Sequence, residues 1–450
     1  MRPSNSEKWH IQIHGTTCFY LFVYILTVLP SFSNCSTLPL LINPSPINTY
    51  KVLHHSNTPQ PSRKTSDMAE VQGHCTPQFD KVRSLLQQFI ESGEEIGACI
   101  AVNVDGENVV DIWGGFTDVE AKRPWVEDTI VGIASSTKTV SSLAVLMLVD
   151  SGAISVHDKV SKYWPEFAAN GKENVEIRHL LSHTSGVAGW DEKITMDEIC
   201  DPVGSSAKLA AQAPWWEPGT ASAYHAWNFG HMLSEIIRRV TGMSLKQYIT
   251  EKITTPLSAD FQLGIAEKDE PRVCHLVTAT SSGAAPSFNP GPLFVKAIAN
   301  PTMPPDVGSR PAWKQGEIGA SNGYSNARAL NKILSNITLA GSSEHKTLLS
   351  KATVDKILEE QSYGVDLAVG QPIRFGIGYA IKSNGERFDD WLPTGDIAFW
   401  GGSGGSLCIM DIGRKVTITY AMNKRSPTLI GNTASRAYIK AIYEALGVKI

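Results

Sequence analysis

The sequence lacks several features that would assign it to a protein class at once. Its 40 Lys and Arg are balanced by 44 Asp and Glu, so no basic excess exists to neutralise phosphates, and nucleic acid is not expected as a partner. None of the seven cysteines has the C-x-x-C spacing of zinc knuckles or redox pairs. With 42% apolar and 19% charged residues, the composition excludes a disordered or multi-span membrane protein.

The only long apolar run covers residues 18–29, and it is shorter than the roughly 20 residues that a membrane-spanning helix needs. The small residues Ser31 and Ser33 follow it at a spacing that suits signal-peptide cleavage. A Pro-, Ser- and Asn-rich stretch at 38–66 has no apolar period, which indicates a disordered linker.

We therefore interpret residues 1–67 as a signal peptide or anchor plus linker, or as a gene-model artefact if translation starts at Met68. The protein is expected to be secreted or membrane-anchored if residues 1–33 are translated, and cytoplasmic if translation starts at Met68. Contact with a membrane is expected only through residues 16–32.

Short β-rich runs lie near both ends of the chain, and helical spacing dominates the middle. Runs at 98–104 and 108–113 flank Asp105-Gly106, which is a strong hairpin signal. Further strand-like runs cover residues 374–382, 406–411 and 415–422. The pattern predicts an α/β (α+β) fold whose antiparallel sheet is built from both chain ends and flanked by helices, with a large, mostly helical inserted region. We assign this domain to residues 68–450.

Two G-x-S-x-G matches, around Ser321 and Ser403, resemble the nucleophile elbow of α/β-hydrolases. That motif needs a strand before the serine, a helix after it and a histidine later in the chain. No histidine follows Ser403, because the last one is His345, and the run before Ser321 is a poor strand. We therefore interpret both matches as glycine-rich turns.

The alternative serine chemistry uses the S-x-x-K motif, which occurs three times, at Ser135/Lys138, Ser205/Lys208 and Ser343/Lys346. Only Ser135 follows an apolar segment and opens a run that is apolar on nearly all sides from Leu143 onward. A helix with this pattern is expected in the middle of the molecule, with Gly152 at its C-terminal cap.

The positions of Ser135 and Lys138 at the start of this predicted helix suit a nucleophile and a base for three physical reasons. Residues i and i+3 share one face of a helix. An oxygen at a helix start lies near unpaired N–H groups and the positive end of the dipole, which favours developing negative charge. A lysine one turn inside a buried helix is partly desolvated, so its pKa falls and it can act as a base. Ser135 and Lys138 therefore fit a nucleophile and its base, although the spacing alone also fits an N-cap serine beside a surface lysine.

Six segments, taken together and in order, resemble the serine β-lactamase/penicillin-binding-protein superfamily. The likeness is greatest to its class C-like branch, which includes family VIII carboxylesterases and lovastatin-type acyltransferases, and it extends over about residues 77–447. The segments are IASSTK at 133–138, VSKYWPEF at 160–167, IRHLLSHTSG at 177–186, WEPGT at 216–220 leading to Tyr224, GYSNARAL at 323–330, and FWGGSGGS at 399–406.

The resemblance implies that Ser135 is the nucleophile and that Lys138 and Tyr224 form a coupled general base/acid pair. A phenol beside a cationic lysine is expected to lose its proton more easily, and the two groups should titrate as one unit. The family's usual Tyr-x-Asn is here Tyr224-His225-Ala226, whereas a literal Tyr-x-Asn occurs at Tyr324. We assign the role to Tyr224 because it follows Pro-Gly-Thr and precedes a helix, as the family's tyrosine does.

The family's third element, Lys-Thr-Gly or His-x-Gly on a strand, is here Trp400-Gly401-Gly402. The resemblance implies that the N–H groups of Ser403 and Ser135 form the oxyanion hole. Tryptophan in place of lysine removes the cation that would hold a β-lactam carboxylate and adds an apolar wall. Ester cleavage or acyl transfer is therefore expected, with weak or absent β-lactamase activity.

Other residues are expected to have structural roles. His183 should be a packed helix end and His225 a wall residue. Four tryptophans could line an apolar pocket but are core residues first, namely Trp215, Trp216, Trp227 and Trp391. His179 and His183 are four residues apart, but they lie inside the family's helix signature, so we assign no metal and no cofactor.

The hypothesis from the sequence is a serine hydrolase or acyltransferase that acts through a Ser135 acyl-enzyme on a small-molecule ester or acyl donor. The choice between water and an alcohol as acceptor stays open. The alternative is a catalytically idle member of the fold that binds a partner or scaffolds an assembly.

Overall fold

A computed structural model describes residues 70–120, 122–278, 290–304, 306–345, 347–383 and 389–450. The interpretations of residues 1–67 as leader, anchor, linker or artefact lie outside these ranges, as does Lys346 of the third S-x-x-K match. No helix within the described ranges is long and apolar enough to span a bilayer.

Fifteen strands are assigned in the described residues. They are β1 (Gln72–Cys75), β2 (Gly97–Val104), β3 (Glu107–Gly115), β4 (Ile130–Gly132), β5 (Phe261–Leu263), β6 (Val273–Cys274), β7 (Val277–Thr278), β8 (Gly323–Ser325), β9 (Ser362–Val365), β10 (Pro372–Phe375), β11 (Ala380–Ile381), β12 (Ile397–Gly401), β13 (Leu407–Asp411), β14 (Val416–Met422) and β15 (Lys424–Arg425).

The α-helices of the described residues lie mostly between β4 and β9. They are α1 (Asp80–Ser92), α2 (Thr137–Asp150), α3 (Ile177–Leu181), α4 (Met196–Ile199), α5 (Pro202–Ala211), α6 (Asn228–Thr241), α7 (Leu245–Ile249), α8 (Thr255–Leu257), α9 (Phe294–Ala297), α10 (Pro311–Gln315), α11 (Ala327–Thr338), α12 (Lys351–Ile357) and α13 (Thr433–Ala445).

The main sheet has nine strands in the order β1-β3-β2-β14-β13-β12-β11-β10-β9, and all its neighbouring pairs are antiparallel. The N-terminal hairpin therefore pairs with C-terminal strand β14, which closes the sheet from both chain ends. Helices α1 and α13 pack against each other beside it. This arrangement confirms the predicted fold class. A smaller sheet, β5-β8-β4-β6, leads into the helical region.

The β2–β3 hairpin forms where the sequence predicts it. Asp105 and Gly106 both have positive φ, at 46° and 92°, which is the backbone that a tight hairpin turn requires. The run at 374–382 differs from its prediction, because it is two strands, β10 and β11, that fold back on each other. Gly378 turns the chain between them with a φ of 89°, a conformation that glycine adopts without strain.

Helix α2 is the central element of the fold, as its apolar pattern predicts. Almost every residue of α2 is buried, on all sides of the helix, and it packs against α6, α7, α11 and α12. Gly152 follows its end with a φ of 74°, which confirms the predicted C-terminal cap. Because α2 is buried, the residues at its first turn are held in the interior of the molecule.

Candidate active site

Ser135 lies in a single 3-10 turn (Ala134–Ser136) between β4 and α2, so the regular helix begins two residues later than the sequence suggests. Ala134 has a φ of 46°, which strains a residue with a side chain. Two neighbouring side chains hold the turn: Thr137 Oγ1 donates to the Ala134 carbonyl at 2.6 Å, and Ser406 Oγ donates to the Ile133 carbonyl at 2.8 Å. Ser135 is thereby presented on a fixed, strained corner.

Lys138 lies one turn inside α2, and its side chain is only 2% exposed. Its Nζ donates to the carbonyls of Ala226 at 2.8 Å and Ala320 at 3.0 Å, and lies 3.4 Å from Ser135 Oγ. A neutral amine has two N–H donors and one lone pair. Two carbonyls can therefore take both donors and leave the lone pair for the Ser135 hydroxyl.

Burial lowers the pKa of Lys138 well below its ordinary value. In the described part of the chain, no carboxylate lies within ion-pair distance of its Nζ. A buried cation without a counter-charge is costly, so the amine loses its proton readily. The alternative of a surface lysine beside an N-cap serine is wrong, because Lys138 is buried.

The structure places Tyr224, and not Tyr324, beside this pair. The Tyr224 ring centroid lies 4.7 Å from Lys138 Nζ, and the Ser135 side chain is close enough to the phenol to lower its pKa. Trp400 Nε1 also donates to that hydroxyl at 3.2 Å. Tyr324, in β8, instead accepts a hydrogen bond from Trp313 of α10 at 3.1 Å.

The expectation that Lys138 makes Tyr224 more acidic is wrong. Burial raises the pKa of Tyr224 above its ordinary value, while the nearby Ser135 and Trp400 side chains oppose that rise only in part. Burial also lowers the pKa of Lys138, which disfavours the positive charge that the expectation requires. A neutral phenol beside a neutral amine is the charge state that this environment favours.

Asp366 fixes the backbone of Tyr224 and has no signal in the sequence. Its carboxylate is completely buried. One oxygen accepts from the N–H groups of Tyr224 at 3.0 Å, Ala368 at 3.0 Å and Val369 at 2.9 Å. Its negative charge also contributes to the raised pKa of Tyr224.

His183 and His225 pack around the tyrosine in the buried part of the site. His183 has a φ of 61°, and its ring lies 5.0 Å from that of Tyr224 and 6.2 Å from that of Trp400. His225 is bonded to Ser185 Oγ and the Ala223 carbonyl. Burial lowers the pKa of His183 well below its usual value and that of His225 to about 3. Both rings therefore stay neutral, and His183 is a wall of the site as well as a helix end.

The end of β12 packs against the Ser135 turn through Trp400, Gly401 and Gly402. A Cβ atom at Gly402 would collide with the Ile133 carbonyl oxygen, so only glycine allows this approach. Trp400 is 3% exposed and packs on Tyr224 at 5.0 Å between ring centroids. The tryptophan thus supports the phenol, in addition to the role of substrate wall that the sequence suggests.

The backbone N–H groups of Ser135 and Ser403 donate no hydrogen bond to any described residue. Ser403 directly follows Gly402, which packs beside Ala134. Two unpaired donors on adjacent segments are the arrangement that an oxyanion hole needs. Their assignment to that role stays a prediction.

The other serine motifs lie elsewhere. Ser205 Oγ donates to the Glu198 carbonyl, while Lys208 forms an ion pair with the Glu198 carboxylate at 3.0 Å. The glycine-rich segment around Ser321 forms no nucleophile elbow, because the strand is β8, which follows the serine. Its contribution is the Ala320 carbonyl that binds Lys138.

The four tryptophans divide between the site and the core. Trp215 and Trp216 are partly buried and pack on the apolar cluster that contains Tyr224, and Lys296 Nζ lies 4.1 Å from the Trp215 ring centroid. Trp227 donates to the Ile298 carbonyl, whereas Trp391 packs edge-on against Phe399 in the sheet.

No group of three His, Cys, Asp or Glu side chains in the described ranges could hold a metal ion. His179 and His183 each accept a hydrogen bond from a different backbone N–H, those of Glu176 and His225. Two surface cavities, of about 480 and 420 Å³, border α5. Neither contains Ser135, Lys138 or Tyr224, so the candidate chemistry lies outside them.

Comparisons with known proteins indicate the family of this chain. The beta-lactamase family model matches residues 82–441. The curated protein "Esterase/beta-lactamase LipL" of Mycobacterium tuberculosis is 29% identical over 321 residues, which are 68% of this chain and 74% of the relative.

Two solved structures extend the comparison. The crystal structure of a family VIII carboxylesterase is 32% identical with a TM-score of 0.77, and the match covers 84% of this chain and 100% of that one. Simvastatin synthase from Aspergillus terreus is 17% identical with a TM-score of 0.62, covering 83% and 98%, and this likeness concerns the fold alone. The chain therefore belongs to the beta-lactamase family.

Proposed function

We propose that the protein is a serine hydrolase or acyltransferase that acts on carboxylic esters through an acyl-enzyme on Ser135. The observation that supports this most strongly is the position of Lys138. Its amine is buried, has no counter-ion among the described residues and lies 3.4 Å from Ser135 Oγ. The names of LipL and of the family VIII carboxylesterase point to the same chemistry.

The reaction starts with transfer of the Ser135 proton to the Lys138 amine as Ser135 Oγ attacks the ester carbon. The N–H groups of Ser135 and Ser403 hold the negative oxygen of the tetrahedral intermediate. The Tyr224 phenol donates a proton to the departing alkoxide and regains one from the Lys138 ammonium. Because burial keeps Tyr224 protonated, it enters the cycle as a proton donor.

Water or an alcohol then attacks the acyl-enzyme by the reverse of these steps. An acyl thioester supplied with candidate alcohols separates the two outcomes, because an acyltransferase forms a new ester and a hydrolase releases the free acid. The idle alternative predicts neither product.

We expect faster turnover of p-nitrophenyl acetate or butyrate than of nitrocefin. Trp400 stands where the family's lysine would bind a β-lactam carboxylate. The loss of one charge-assisted hydrogen bond costs about tenfold or more in kcat/KM. Faster hydrolysis of nitrocefin than of both esters, measured on one enzyme preparation, would show that the substrate assignment is wrong.

Substituting Tyr224→Phe is expected to lower kcat by about 10²-fold or more, because it removes the phenol that passes a proton to the leaving alkoxide. The matched control is Tyr324→Phe, which loses one hydrogen bond with Trp313 of α10. Steady-state turnover of p-nitrophenyl butyrate is the measurement. A larger loss at Tyr324 than at Tyr224 would reverse our assignment.

A further inference from the structure

Ser403, the second proposed oxyanion donor, lies in a tight turn after β12, residues 402–405, here called the Ser403 turn. The turn is closed by the Gly405 N–H, which donates to the Gly402 carbonyl at 3.0 Å. Gly404 and Gly405 have φ of 106° and 139°, a backbone that glycine adopts without strain. Because two successive glycines also leave a chain flexible, the direction of the Ser403 N–H depends on what packs against the turn.

Asn432 packs against the outer side of the Ser403 turn. A Cβ atom at Gly405 would lie only 2.6 Å from Asn432 Nδ2 and 3.2 Å from its Cγ, so the planar amide lies close against the Gly405 Cα. Two backbone hydrogen bonds join the same part of the chain to the turn, from Ser426 N–H to the Gly404 carbonyl at 2.9 Å and from Gly404 N–H to the Thr428 carbonyl at 3.4 Å. Of these three contacts, only that of Asn432 is made by a side chain.

Hydrogen bonds hold both ends of the Asn432 amide. Its Oδ1 accepts from the N–H of Ser435 at 2.7 Å, which caps α13. Its Nδ2 donates to the hydroxyl of Tyr420, in β14, at 3.3 Å. Asn432 is buried, so the amide is fixed between α13 and β14 and presents the same edge to the turn.

The buried carboxyl of Glu95 sets the direction of these hydrogen bonds. Tyr420 donates its proton to Glu95 Oε1, which leaves the tyrosine oxygen to accept from Asn432. Burial raises the pKa of Glu95 to about 8, so the carboxyl is mainly protonated at pH 7, and Oε1 accepts in either protonation state. A residue between α1 and β2 thereby helps to orient the amide beside the Ser403 turn.

We propose that Asn432 is a positioning residue for the oxyanion hole: its amide fixes the Ser403 turn and with it the direction of the Ser403 N–H. This inference rests on the proposed function. Asn432 acts through the turn and not on the reacting atoms. An oxyanion donor stabilises charge only within hydrogen-bond distance of the developing oxygen, so a small displacement of Ser403 should lower kcat and leave KM nearly unchanged.

Asn432→Ser tests the proposal, because serine also caps helices well but lacks the amide that reaches Gly405 and Tyr420. We expect kcat for p-nitrophenyl butyrate to fall by about tenfold or more, with KM within about twofold of wild type. The inhibition constant of trifluoromethyl propyl ketone, whose adduct with a serine carries an oxyanion, should rise by a similar factor. A fall in kcat with a wild-type inhibition constant would overturn the proposal, because it indicates only a smaller folded fraction.

Two further variants separate the amide from helix capping. Tyr420→Phe keeps Asn432 but removes the hydroxyl that orients it, so kcat and the inhibition constant should change in the same directions by smaller factors. Ser350→Ala removes the N-cap of α12, where Ser350 also donates to Asp150 at the far end of α2. It should lower the unfolding temperature and leave both constants unchanged. A loss of kcat in Ser350→Ala as large as in Asn432→Ser would contradict the proposal.

Hydrogen exchange separates this proposal from the proposed function, because it needs no turnover. In Asn432→Ser, mass spectrometry should show the amides of the Ser403 turn exchanging about tenfold or more faster than in the wild type, with those of α12 unchanged. Equal exchange in the turn would overturn the positioning role, whatever the turnover. Faster exchange in a protein whose wild type cleaves no ester would contradict the hydrolase and keep Asn432 as the residue that holds the turn.

Discussion

Ser135→Ala should lower ester turnover by roughly 10⁴-fold or more, since loss of the nucleophile leaves only binding and the oxyanion donors. The two hydrogen bonds that hold the strained turn do not involve the Ser135 hydroxyl, so the variant should fold normally. Turnover of p-nitrophenyl butyrate, with a thermal unfolding scan for each protein, is the measurement.

The matched control for that variant is Ser321→Ala, which alters the glycine-rich segment without touching Lys138. The lysine binds the carbonyl of the preceding residue, Ala320, and a backbone carbonyl survives the substitution. Turnover close to wild type is expected. Retention of activity in Ser135→Ala, or a comparable loss in Ser321→Ala, would place the nucleophile elsewhere.

Lys138→Met should lower kcat by about 10³- to 10⁴-fold, because methionine has a similar length and no lone pair on nitrogen to accept the Ser135 proton. Lys138→Arg should be as inactive, since a guanidinium stays protonated at every usable pH. These two variants separate a requirement for a base from a requirement for positive charge.

The pH dependence of the wild type follows from the same group. Burial lowers the pKa of Lys138, so the amine is neutral above that lowered pKa and protonated below it. Activity should therefore fall as pH decreases through the Lys138 pKa and stay constant above it. The pH of this fall should be far below the pH at which an ordinary lysine titrates. Activity that rises only near the pKa of an exposed lysine would contradict the assignment of Lys138 as the base.

The elements that place the nucleophile could be predicted from local pattern. The unbroken apolar run after Ser135 implies a helix buried on all sides, and α2 has that burial. The Asp105-Gly106 pair implies the hairpin that β2 and β3 form. In each case the signal lies within a few residues of the structure that it determines, which is why the pattern suffices.

The environment that sets the charge states could not be predicted in this way. Asp366 binds the N–H of Tyr224 across 142 residues of sequence, and only the folded chain brings them together. The carbonyls of Ala226 and Ala320 accept hydrogen bonds from the Lys138 amine. Every residue has a backbone carbonyl, so the residue types in the sequence do not indicate this contact. The acidity expected for Tyr224 is wrong for the same reason, because it depends on burial that the sequence does not state.

The most direct test of the account is covalent labelling of the folded wild-type protein with a fluorophosphonate probe, followed by mass spectrometry of its peptides. A reactive serine beside a neutral base attacks phosphorus as it attacks an ester carbonyl. The account predicts a single adduct on Ser135, which disappears in Lys138→Met. Absence of an adduct, or an adduct on another serine, would contradict it and favour an idle binding protein.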